Sequence, residues 1–342
     1  MCQTFTFPVQ KLFPNITSDL SKYTSAGIPD SISSGLNNDI KLLDLGSKCS
    51  DVAGVDPYLI DGSLETGYSV SLSASYCQYL WIICDVAIRS IDYLNTIHIA
   101  SMSGKSKDEL IIANEMTLSM SDEDLTSLIA SHNASGSITQ FREQTKRINE
   151  LLKDENFLSK MDRELSLALS LIKHDRRTLC PEDFSGLSMN DGYGLTVNSC
   201  LVKGVSFILL HELHHLKLKH LEKATKTSND EIEADAAAFW TMYSDIGDDE
   251  RFTVVIGILC MLFSLFIKDF GTPDDKEHPG EYTRVFHILE IVSGDNPKYT
   301  WLIIYLFILW SNITGIENFP EVSIYDKDAI EKIKDFLSNY HP

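Results

Sequence analysis

The chain has 342 residues, 44% of them hydrophobic, enough to bury a sizeable core without covalent staples. Its 29 Lys and Arg face 49 Asp and Glu, a formal net charge of -20, and a field of that sign repels phosphate backbones and anionic lipid heads, which argues against nucleic acid as a partner. Seven cysteines without Cys-x-x-Cys spacing and the lack of a charged and apolar leader pattern in the first thirty residues argue against a disulfide framework and for a reducing cytoplasm.

In chain order, Gly27 to about Gly67 is rich in Ser, Asn, Asp and Gly and reads as loops joining short elements. Tyr76 to Ile99 carries Trp81, Ile82, Val86, Ile91 and Leu94 at helical spacing, the pattern of a buried helix. Polar stretches at 101–107 and 131–137 offer boundaries, and we divide the chain into an N-terminal region of unassigned role, 1–139, and a metallopeptidase domain, 140–342. Gln140 to Asp175 reads as one long amphipathic helix. In Gly192 to Asn198, Tyr193, Leu195 and Val197 alternate as in a short strand. Phe252 to Ile267 and Thr300 to Trp310 are uncharged for 16 and 11 residues, shorter than the roughly 20 a membrane span needs, so both read as core helices. The fold class expected is mainly α with a small β-sheet (α+β).

The strongest signal is residues 211–215, His-Glu-Leu-His-His. On a helix the side chains at i and i+4 share one face about one turn apart, so His211 and His215 can close on a single ion. Glu212 lies beside them, placed to work on water without taking a coordination position. A catalytic zinc takes three protein ligands and keeps one position open, so a third ligand is required. Residues 229–238, NDEIEADAAA, put Glu231 and Asp235 on one helical face among small alanines that let two helices approach. That approach would bring Glu231 to the ion and leave Asp235 to accept the second ring N–H of a histidine. Glu233 projects from a different face, His214 and His220 lie off the ligand face, and Asn229 or Asp230 suits the helix N-cap. A purely structural zinc would use four ligands with cysteine prominent, and no cysteine lies nearby in the sequence.

His-Glu-x-x-His followed by Glu231-Ile232-Glu233-Ala234-Asp235 resembles the gluzincin metallopeptidases, and His278-Pro279 followed by Arg284 is similar to the prenyl-protease and HtpX-like group. The chain looks most like the Lit-type phage-exclusion peptidases, bacterial cytoplasmic enzymes that cleave a host translation factor. A second resemblance, to the ImmA and IrrE metallopeptidases, rests on Glu233-Ala234 through Phe239, but Trp240-Thr241-Met242 replaces the segment those proteins continue into. The resemblance implies a zincin-like domain, one Zn2+ per chain, Glu212 as catalytic base, a protein substrate, and an activating peptide or protein in a defence setting. It also implies that Tyr282, Arg284 or His278 approaches the substrate or the developing oxyanion. The strand at 192–198 would then be an edge for an extended substrate. Two rivals stand beside this reading: a regulatory binding protein with a structural or vestigial zinc, and a membrane-embedded HtpX-like protease using 252–267 and 300–310 as spans.

Overall fold

The apolar runs of the sequence become helices, and the packing of those helices positions everything else. The computed structural model describes residues 9–24, 40–43, 58–63, 67–131, 137–173, 192–218, 227–270, 280–294 and 296–340. Among the described residues lie twelve helices and three strands, beginning with α1 (Val9–Thr24), β1 (Ile40–Leu43), β2 (Tyr58–Ser63), β3 (Gly67–Ser73) and α2 (Ala74–Ser103). Next come α3 (Lys107–Ser119), α4 (Asp122–Ser131), α5 (Ile138–Lys153), α6 (Phe157–Lys173) and α7 (Gly192–Lys217). The chain then forms α8 (Ser228–Tyr243), α9 (Asp248–Asp269), α10 (Glu281–Val292), α11 (Pro297–Thr314) and α12 (Ala329–Asn339). The strands lie in the order β1-β3-β2, with β1 parallel to β3, Ile40 opposite Val70, and β2 antiparallel to it, Tyr58 opposite Leu72.

Helices dominate, as the periodicity predicts, but two local readings are corrected. Gly192 to Asn198 is not a strand; it is the start of α7. Val197, Leu201, Val205 and Ile208 are all buried at i, i+4, i+8 and i+11, while Leu195 is 65% exposed, so the 3.6-residue period of the longer run overrides the short alternation. The span 140–175 is two helices, α5 and α6, rather than one. The Asp154 carboxylate accepts the backbone N–H of Asn156 at 3.0 Å and Lys160 Nζ at 2.5 Å, a local alternative to helix hydrogen bonding that ends one element and starts the next.

The helices form two compact units, one of residues 1–88 and 164–342 and one of 89–163. The boundary expected at 139/140 falls inside the second unit, in the first turn of α5. In that unit α3 opens with a capping box, Ser106 N–H donating to Glu109 Oε2 at 2.7 Å. Arg142 on α5 closes the other end of α3 through the Leu118 and Met120 carbonyls at 2.9 and 2.8 Å.

In the first unit α7 packs against α1, α8 and α9. Trp81 of α2 donates from Nε1 to Asn198 Oδ1 at 2.8 Å, and Tyr79 donates to the Ser264 carbonyl of α9 at 3.0 Å. α7 meets α9 backbone to backbone at Gly204 and Gly257, where a Cβ on Gly257 would stand 2.4 Å from the Cys200 carbonyl oxygen. Both helices, over Gly194–His215 and Glu250–Lys268, are long and apolar enough to cross a membrane, and 78% of each apolar window is buried inside the protein. Gly257→Ala should therefore cost about 1–3 kcal/mol by forcing two backbones apart. A urea melt with an unchanged midpoint would refute that reading of the crossing.

One buried charge interrupts α7. Lys203 Nζ donates to Asp19 Oδ1 at 2.6 Å and to the Tyr23 hydroxyl at 2.8 Å, both on α1, whose Leu12, Ile16 and Leu20 are buried at helical spacing. Burial disfavours the ammonium, but its hydrogen bonds to Asp19 and Tyr23 outweigh that and the Lys203 pKa is raised. Removing one partner of a buried pair strands the other charge. Lys203→Met should lose about 3–5 kcal/mol in chemical denaturation, and Asp19→Leu added to it should recover much of the loss. A double variant no more stable than the single one would show that the pair is not what the helix contact rests on.

Candidate metal centre

His211 and His215 lie on the last turns of α7, where the helix geometry brings their Nε2 atoms to 3.0 Å of each other with the rings nearly perpendicular, at 89°. From α8 the Glu231 carboxylate arrives with Oε2 3.2 Å from His211 Nε2 and Oε1 3.2 Å from His215 Nε2. Ala234 and Ala238 are fully buried in α8, which packs against α7, and their small side chains permit the approach. α8 is opened by Thr227, not by Asn229 or Asp230, and Thr227 N–H donates to Asp230 Oδ2 at 2.9 Å. Donor atoms held about 2.0–2.1 Å from a tetrahedral ion sit roughly 3.3 Å apart, so two imidazole nitrogens and a carboxylate at these separations fit a divalent metal.

Glu212 belongs to the same cluster: one donor atom from each of His211, Glu212 and His215 lies within 4.8 Å of the others. Its carboxylate stands 3.7 Å from His211 Nε2, farther than Glu231, and its side chain is 23% exposed where that of His211 is 2%. Glu212 is therefore the more exposed of the two carboxylates beside the histidines, and Glu231 closes the group.

Behind His211 lies Asp235, fully buried, with Oδ1 2.8 Å from His211 Nδ1. The same carboxylate takes a two-pronged contact from Arg284 of α10, whose Nε donates to Oδ2 at 2.7 Å and Nη2 to Oδ1 at 2.8 Å. Arg284 Nη1 is turned to Glu281 Oε2 at 3.1 Å, one helical turn earlier, and lies 3.8 Å from Glu231 Oε2. Burial opposes every charge here, yet each persists. It works against the His211 imidazolium, but Asp235 and Glu231 raise that pKa to about 9; burial likewise opposes the Asp235 carboxylate, which Arg284 and His211 hold down at about 2. Glu231, also disfavoured by burial, is kept well below the carboxylate range by hydrogen bonds from the two histidines.

The structure thus brings together His211, Glu212, His215, Glu231 and Asp235. Glu233 is exposed on another face of α8. Arg284 does approach, but from behind: its donors go to Asp235 and Glu281 and its side chain is 5% exposed, so it does not present itself to a substrate oxyanion. Tyr282 is half-buried two residues earlier on α10, about 200° around the helix from Arg284. His278 and His220 lie outside the described residues. His214 is buried with Nε2 3.0 Å from Thr241 Oγ1; the Thr241 hydroxyl already donates to the Ala237 carbonyl, so His214 must be the donor and ties α7 to α8. Burial, reinforced by Lys217, lowers the His214 pKa to about 4 and keeps the ring neutral. The sequence reading passed over Glu281, although its place three residues before Arg284 marks it as a helical neighbour.

A His-Glu-x-x-His helix closed by a carboxylate from the next helix defines a zincin-like peptidase. Within that class the chain belongs to the Peptidase U49 family, whose pattern matches residues 70–304 and so takes in every group of the centre. No curated protein and no solved structure matches the chain.

Because the donor set is preassembled, a divalent metal should bind the folded chain alone and raise its stability by about 2.7 kcal/mol at one hundred times Kd. Thermal unfolding with and without a chelator measures this. A His215→Ala variant that still gained the full increment would place the ion elsewhere.

Proposed function

We propose that the protein is a zinc-dependent endopeptidase in which His211, His215 and Glu231 hold one Zn2+ per chain and Glu212 is the catalytic base acting on a protein substrate. The observation that carries this is the convergence of both Nε2 atoms and the Glu231 carboxylate at 3.0–3.2 Å, with Glu212 set farther back, 3.7 Å from His211 Nε2, and part-exposed. A zinc bound there would polarise the scissile carbonyl and acidify water. The Asp235 carboxylate, 2.8 Å from His211 Nδ1, favours the tautomer protonated there, which would leave the Nε2 lone pair for coordination. The Glu212 carboxylate takes a proton from the attacking water and returns it to the departing amine, so that the peptide C–N bond is exchanged for a carboxylate and an amine.

Four buried free thiols among the described residues, Cys77, Cys84, Cys200 and Cys260, support a reducing cytoplasm as the working compartment. The resemblance to the Lit-type peptidases supports a role in defence against phage, with activity held back until an activating peptide or protein is present. The binding-protein alternative is disfavoured by family membership and by an intact, accessible Glu212. The edge-strand route for substrate is withdrawn, because the residues assigned to it are helical.

Elemental analysis should find about one zinc per chain in the wild type and much less in Glu231→Ala. Glu212→Gln should keep the zinc while turnover falls by about 10²–10⁴-fold, the share usual for a general base. Proteolysis at wild-type rate in that variant would remove Glu212 from the mechanism, and protection against phage by it would detach defence from peptide cleavage.

A further inference from the structure

We infer that Arg284 is a positioning residue of the metal centre, not a substrate contact: with Glu281 behind it, it locks Asp235 against His211, so that docking of α10 sets the affinity for the metal. The inference rests on the metal reading above. Its basis is the direction of the guanidinium. Nε and Nη2 form a fork on the two Asp235 oxygens at 2.7 and 2.8 Å, and Nη1 is held by the Glu281 carboxylate at 3.1 and 3.4 Å.

A planar fork with both prongs engaged fixes the plane of the carboxylate it grips. Asp235 Oδ1 is thereby held 2.8 Å from His211 Nδ1, and the far nitrogen of the same ring is the one that faces His215 and Glu231. The chain of contact therefore runs Glu281, Arg284, Asp235, His211, across α10, α8 and α7, and ends on an atom of the metal-binding group. Each link has little room to move, since Arg284, Asp235 and His211 are all buried. The second oxygen, Oδ2, is held by Arg284 Nε at 2.7 Å, so loss of the fork releases it.

α10 is thus the third wall of the centre, although it supplies no donor atom to the two histidines' cleft. It packs against α8 and α9, and Val285, Phe286, Ile288 and Leu289 are buried around Arg284, so the position of the guanidinium is set by the docking of the whole helix. A lysine at 284 would retain a charge but not the two-pronged grip.

The test uses the full chain with Co2+ alone as probe, measuring its dissociation constant by chelator competition and its visible ligand-field spectrum, with urea melts of the metal-free proteins alongside. Arg284→Lys should stay folded, bind Co2+ about 10–100-fold more weakly and give an altered spectrum, the penalty usual for losing support behind a metal ligand. Glu281→Gln, which leaves the fork in place and loosens only its far side, should shift affinity in the same direction by less, and it keeps the question open to measurement if the Arg284 variant does not fold. Wild-type affinity and spectrum in Glu281→Gln and in folded Arg284→Lys would overturn the inference and leave Arg284 as charge balance for Asp235. Absence of Co2+ binding by the wild type would instead overturn the metal reading itself.

Discussion

One buried carboxylate, that of Asp235, is shared between the His211 ring and the Arg284 guanidinium, and three helices depend on it. A carboxylate with no access to water is costly unless it is paired and hydrogen-bonded on all sides. Here α7 and α10 both supply that pairing to α8, so the three helices cannot shift independently without stranding a charge. The same contact that stabilises the helix arrangement orients a metal-binding ring, which makes the fold and the site parts of one electrostatic problem.

α7 meets a different partner on nearly every turn. Lys203 anchors α1, Gly204 admits the backbone of α9, His214 holds α8 through Thr241, and His211 with His215 faces Glu231. A helix buried all round is expected to be apolar all round; α7 departs from that at Lys203, His211, His214 and His215, each of which faces a polar or charged partner, and at Ser206, whose buried hydroxyl makes no hydrogen bond among the described residues. Its resemblance in length and composition to a membrane span follows from its central place in the packing.

Among the polar groups of the centre the proposed division of labour follows from position. Glu231 and Glu212 are both close to the histidines, but Glu231 touches both rings and is half-enclosed, while Glu212 is set back and wetter. A metal ligand and a base need those two environments respectively. The Peptidase U49 match at residues 70–304 takes in both glutamates, and the two roles proposed for them rest on this geometry.

What the sequence alone determined is local. The i, i+4 spacing of His211 and His215, and of Glu231 and Asp235, puts each pair on one face of a helix whatever the rest of the chain does, and Glu233 is turned away by the same rotation. The helical period of the buried runs was equally legible, and it failed only at the ends of elements: at 192–198, where seven residues cannot distinguish a period of 2 from one of 3.6, and at Asp154, where a side chain outcompetes the helix backbone. Only the tertiary structure decided that Glu231 spans both rings, that Lys203 is paired with Asp19 nearly two hundred residues away, as their separation of 184 shows, and that Arg284 stands behind the centre rather than in front of it. Those outcomes depend on the rotation and docking of separate helices, which are set by close packing across the core and leave no periodic trace along the chain.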